Sequence, residues 1–97
     1  MKRKSSAADR AYMKRICDLG CQLCIHLGLG ETACEIHHVR VRHGFGRSSH
    51  REIIGLCAFH HRGEPGGIHA HGRDEFTAMY GISEMDLLRN AESMTVF

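Results

Sequence analysis

Two pairs of touching histidines mark this chain: His37 and His38 in CEIHHVR, and His60 and His61 in LCAFHH. Near neutral pH an imidazole both accepts protons and ligates borderline metal ions, so histidines gathered in this way can move protons, hold an ion, or do both. Cysteines stand beside them. Cys21-x2-Cys24 and Cys57-x2-His60 have the spacing that lets both side chains of a pair turn toward one ion from a tight knuckle. Two such pairs complete a closed tetrahedral site of the kind structural zinc takes. A closed site has no vacant position and does no chemistry. It pins the N-terminal knuckle to a strand–helix junction and supplies on the order of 10 kcal/mol of folding free energy. With His60 committed to zinc, His61 points elsewhere, and the expected meeting place is the one His37 faces. There the two imidazoles share a second ion with open positions.

Bulk properties favour metal over disulfides. Ninety-seven residues without a tryptophan make one domain with a thin core, a size at which chains often use an added staple. The chain opens MKRKSSAADR, which has no apolar signal segment, and no stretch is long enough to span a membrane. The expected location is therefore the cytosol, where thiols stay reduced. Five cysteines are also an odd number for a disulfide framework. A redox role for CQLC is disfavoured because no βαβ pattern surrounds it. Cys17 and Cys34 remain as small buried apolar groups, Cys17 facing the core one turn before Cys21, with Cys34 as the substitute ligand. The net charge is only +2, but positive charge gathers in residues 1–15 (+5) and 36–63 (+4), which suits a polyanion.

The elements that must position these groups follow from local pattern. Ala8, Ala11, Tyr12, Ile16 and Leu19 fall near helical spacing over Ala7 to Leu19, with Ser6 as N-cap, Gly20 as C-cap, and Lys14 and Arg15 on the wet side. CEIHHVRV reads as a strand, HGFGRSSHRE as a loop, EIIGL as a second strand, and AFHHR as the first turns of a helix. GEPGGIHAHG reads as a loop. RDEFTAMYG reads as a helix with Phe76, Met79 and Tyr80 on one face, and SEMDLLRNAESM as another, capped by Ser83 with Asp86 completing an approximate capping box.

At this point the chain resembles a known family. HH on a strand, then LCxxHH at a helix start, with a preceding CxxC, resembles the HNH endonuclease motif of the ββα-metal (His-Me finger) fold. More narrowly, CEIHHVR, IGLCAFHHRG and GGIHAHGRDEFTAMYG together are similar to the phage recombination-enhancement (Ref-like) HNH nucleases, over about residues 17–89. The fold implied is a small α+β domain: a ββα-metal core with a structural zinc knuckle, an N-terminal helix and C-terminal helices. Residues 1–16 form a basic tail and helix, and residues 17–97 the nuclease domain.

The resemblance also implies roles. His37 binds the catalytic ion, His38 is the general base, and His61, just after the last knuckle ligand, binds the ion as well. The helical His-x3-His that often supplies a third ligand is missing, because Pro65 lies four residues after His61. His69 is the candidate in its place, with His71 as the alternative. The middle Asn of the motif is also missing, and its place falls on Glu52, with His50 nearby. The implied activity is metal-dependent hydrolysis of DNA phosphodiesters in phage or prophage recombination or processing, with Mg2+, Mn2+, Ni2+ or Zn2+ at the active site and zinc in the knuckle. DNA is the implied partner, and the family name adds a recombinase filament. Arg40, Arg42 and Arg62 are candidate phosphate holders, and Lys2, Arg3 and Lys4 a grip that does not read sequence. His26, His43 and His50 read as ordinary surface or hydrogen-bonded groups. The competing readings are a zinc-stabilised DNA-binding module without catalysis and a zinc adaptor for protein partners.

Overall fold

The computed structural model describes residues 6–39 and 52–95, and within them an antiparallel pair of strands is wrapped by helices. Helix α1 (Ala7–Leu19) opens on a reciprocal cap. Ser6 Oγ accepts from the Asp9 amide at 3.0 Å, and Asp9 Oδ2 accepts from the Ser6 amide at 3.1 Å. The helix stops at Gly20, whose φ of +84° costs a glycine nothing and whose absent Cβ would stand 2.9 Å from the Thr32 carbonyl oxygen.

Strand β1 (Glu35–His38) pairs with β2 (Ile53–Leu56), placing Glu35 opposite Leu56, Ile36 opposite Gly55, His37 opposite Ile54 and His38 opposite Ile53. β2 is buried along its whole length, between α1 and the C-terminal helix α6 (Glu84–Met94). It therefore reads as a continuous apolar run. β1 is covered less and keeps polar residues. The chain then enters helix α3 (Ala58–His61), so the order through the centre is strand, strand, helix. The core is aliphatic: Ile16, Leu23, Val39, Ile53, Ile54, Leu56, Leu87 and Leu88 surround Phe76, a fully buried ring.

Several expectations need correction. The buried side of α1 runs through Asp9, Tyr12, Met13 and Ile16, whereas Ala8, Ala11 and Cys17 are exposed. Cys17 misses the core because it sits about 100° around the helix from Ile16, which takes the inward position. Cys34 is half-buried, and its Sγ lies 3.6 Å from the Cys17 carbonyl oxygen. CQLC, which has only a knuckle reading in the sequence, also starts a short helix, α2 (Gln22–His26), which packs on β2 and α6. GEPGGIHAHG is not all loop: Ile68–His71 closes one helical turn, α4, with Ile68 buried beneath it. Helix α5 (Arg73–Tyr80) buries Phe76 and half-buries Tyr80 but exposes Met79. In α6, Ser83 Oγ does accept from the Asp86 amide, at 3.1 Å. The HGFGRSSHR segment, His43 and His50, Arg40 and Arg42, and Lys2, Arg3 and Lys4 lie outside the described residues.

Candidate metal centres

The first centre is built where α2 and α3 begin. Cys21 is the N-cap of α2, and its Sγ accepts from the Cys24 amide at 3.3 Å. Cys57 is the N-cap of α3, one turn before His60. The four donors converge: His60 Nδ1 lies 3.7 Å from Cys21 Sγ, 3.5 Å from Cys24 Sγ and 3.3 Å from Cys57 Sγ, and Cys24 and Cys57 Sγ are 3.9 Å apart. A tetrahedral zinc with bonds of about 2.0–2.3 Å needs donor separations of roughly 3.5–3.8 Å, so the set fits such an ion as it stands. All four residues are buried. Burial pushes the Cys21 thiol up to about 12 and pulls the His60 imidazole down, which disfavours a thiolate unless a cation meets it. Tyr80 closes the group, its ring meeting that of His60 at 84° and its hydroxyl donating to the Gly66 carbonyl at 2.9 Å.

The second centre lies on the far side of the same two helical residues. His37, His61 and His69 can each offer a nitrogen such that all three lie within 4.8 Å of one another, and His61 Nε2 and His69 Nε2 are 3.0 Å apart. That separation suits neighbouring ligands of one divalent ion. His37 is buried, His61 half-buried and His69 exposed, so the group opens to solvent on one side. The opening is a cleft of about 1010 Å³ that His38, His71 and Glu84 also line. Burial, followed by the neighbouring His61 and His37, holds the His69 imidazole below its usual range, which favours the neutral, ligating form at neutral pH.

Among the histidines raised by the sequence, His37, His61 and His69 come together, and half-buried His38 lines their cleft. His71 does not join them. Its Nδ1 lies 2.6 Å from Glu75 Oε1 and its Nε2 lies 2.5 Å from the Pro65 carbonyl oxygen. His26 is exposed. Glu52, which the resemblance puts in the place of the HNH Asn, is buried, and its carbonyl accepts from the Val39 amide at 2.9 Å, tying the two strands just beyond their paired residues.

Two carboxylates escaped the sequence reading. Glu35 Oε1 lies 2.8 Å from His61 Nδ1, while its Oε2 accepts from Arg62 Nη2 at 2.7 Å and from Arg62 Nε at 2.9 Å. The Arg62 bonds first, and His61 second, lower the Glu35 carboxyl to about 2. Glu84 Oε2 lies 2.7 Å from His37 Nε2, and both residues are buried. Alternation along β1 could have flagged Glu35, which shares a face with His37. Glu84 gave no signal, since an acid in the first turn of a helix is ordinary.

These features define a class: a small α+β protein with one buried Cys3His group fit for an ion such as zinc and one open histidine group fit for a second. Residues 5–96 match the family described as "Recombination enhancement, RecA-dependent nuclease", and the chain belongs to that family. No curated protein matches the chain. Among the described residues no helix is long and apolar enough to cross a membrane.

Proposed function

We propose that the protein is a metal-dependent DNA endonuclease of HNH type that hydrolyses phosphodiesters during recombination. The observation that carries this reading is the convergence of His37, His61 and His69 on one point in an open cleft that His38 also lines, back to back with a closed Cys3His group. Family membership supports a nuclease role. In this reading Cys21, Cys24, Cys57 and His60 hold a structural zinc, and β1–β2–α3 is a ββα-metal core.

His37, His61 and His69 would hold the catalytic ion. When bound, a divalent ion such as Mg2+, Mn2+, Ni2+ or Zn2+ neutralises charge on a phosphate oxygen and on the departing 3′ oxygen. His38 does the proton work. Its neutral imidazole takes a proton from water, the water oxygen forms the new bond to phosphorus, and the bond to the 3′ oxygen breaks. The products are a 5′ phosphate and a 3′ hydroxyl, which takes its proton from solvent. Arg40, Arg42, Lys2, Arg3 and Lys4 supply salt-sensitive phosphate binding. Arg62 reaches a phosphate only by sharing or leaving Glu35. The family description, RecA-dependent, supports RecA as a partner, and in this reading its filament on DNA directs cleavage.

Nicking of supercoiled plasmid in the presence of RecA and a divalent ion tests this. The wild type should nick only with the ion, and His38→Ala should lose about 10²–10⁴-fold in rate while still folding and binding DNA. Equal cleavage by that variant rejects the role of His38. Wild-type DNA binding without cleavage under any of these ions, with RecA present, selects a non-catalytic zinc-stabilised DNA-binding module instead.

A further inference from the structure

The C-terminal helix closes the fold on one side of β2, and the proposed chemistry uses none of its residues. Yet Glu84, in its first turn, is a carboxylate buried to 5% exposure against a histidine of the open centre. Its Oε2 lies 2.7 Å from His37 Nε2, and it lines the same cleft as His61 and His69. A buried carboxylate is costly unless something meets it, and here the imidazole of His37 does. The same pattern recurs on His61, whose Nδ1 faces the Glu35 carboxylate at 2.8 Å. Two of the three converging imidazoles thus each have one nitrogen engaged by a carboxylate.

We propose that Glu84 is a positioning residue for the open metal centre: by engaging Nε2 of His37, it fixes that ring so that Nδ1 faces the ion. α6 is then part of the centre as well as a cover for β2. The inference rests on the nuclease reading above for the presence of an ion at this centre. A carboxylate behind a ligating histidine fixes both ring orientation and tautomer, and its loss typically weakens ion binding 10–100-fold. The two glutamates reach the centre from separate elements, β1 and α6, so the geometry of His37 depends on how α6 seats on the sheet.

The test is Co2+ titration of the full chain with its knuckle already loaded with zinc, read by the visible absorption of the bound Co2+, alongside zinc content and melting temperature. Wild type should take up one Co2+, and His37→Ala should abolish that uptake. Glu84→Gln should keep its zinc and its melting temperature within a few degrees, yet bind Co2+ about 10–100-fold more weakly. Unchanged Co2+ affinity in Glu84→Gln overturns the inference and leaves the nuclease reading standing. Loss as complete as in His37→Ala makes Glu84 a ligand, and loss of zinc makes it a folding residue. Either overturns the positioning role. No Co2+ uptake by wild type removes the open centre and the inference with it.

Discussion

The two candidate metal centres draw on consecutive residues of one short helix, His60 and His61, yet their surroundings differ. His60 faces three thiols in a fully buried pocket, with donor separations of 3.3–3.7 Å that leave no room for a further ligand. His61 faces two imidazoles on the edge of an open cleft, and a carboxylate stands behind it. Enclosure, more than ligand type, separates them: donors that complete a shell can only hold an ion, while donors that complete part of one leave positions for water and phosphate. Successive side chains on an α-helix diverge by about 100°, so one turn of α3 can serve both groups. Removing each histidine separately tests this division of labour most directly.

His60→Ala carries the largest expected effect. It removes a donor from a group that, holding zinc as proposed, would supply on the order of 10 kcal/mol, comparable with the whole stability of a domain. The variant should be unfolded at 25 °C by circular dichroism, and a strong zinc chelator should do the same to the wild type. A cooperative melt surviving in both cases would mean that the four buried donors are only core.

His61→Ala, one residue on, should spare the fold and lose the chemistry. The expected stability change is about 1 kcal/mol or less, as for a partly exposed side chain outside the core. The expected loss in plasmid nicking is roughly 10²–10³-fold, the scale seen when one group stabilising developing charge is removed. If His61→Ala unfolds the protein as His60→Ala does, the two groups are one structural unit and the division of labour fails.

How much of this was legible follows from how local each signal is. Fixed spacing carried the knuckle: Cys21-x2-Cys24 and Cys57-x2-His60 needed only the knowledge that such pairs meet. Caps were equally readable, because Ser6, Gly20 and Ser83 act on amides and carbonyls a few residues away. The tilt of α1 was not, since Asp9 has the composition of a surface residue yet is buried with its carboxylate accepting from the Ser6 amide. The turn at Ile68–His71 was hidden by the glycines around it, although Ile68 needed a buried site and the helical turn provides one. Glu84 could not be found from sequence at all. Its contact with His37 spans 47 positions and exists only because α6 packs on β2.

A smaller effect probes the joint between scaffold and site. Gly55 lies opposite Ile36 in the ladder, and a Cβ there would stand 2.5 Å from Cys34 Sγ and 2.6 Å from the Gly20 carbonyl oxygen. Gly55→Ala should therefore cost about 1–3 kcal/mol, with a fall in melting temperature of roughly 4–8 °C per kcal/mol. Adding Cys34→Ala removes the sulfur contact but not the carbonyl, so the double variant should recover only part of the loss. Full recovery would show that Gly20 and β2 can separate without harm, and that the knuckle and the strand pair carrying His37 and His38 are not one rigid body.

The smallest effect sharpens the open centre from outside. Arg62 is exposed, and an exposed ion pair contributes little to stability, so Arg62→Ala should leave the melting temperature nearly unchanged. Its guanidinium donates through both Nε and Nη2 to Glu35, which in turn engages His61. An arginine committed in this way acts on the ligand behind it more than on a passing phosphate. Each cation that neutralises a phosphate contributes about 0.9 to the slope of log affinity against log salt concentration. The slope of DNA binding should therefore change by much less than that in Arg62→Ala, while ion affinity at the open centre falls. A slope change near 0.9 with ion affinity intact would instead place Arg62 on the DNA, and the polar support behind His61 would then end at Glu35.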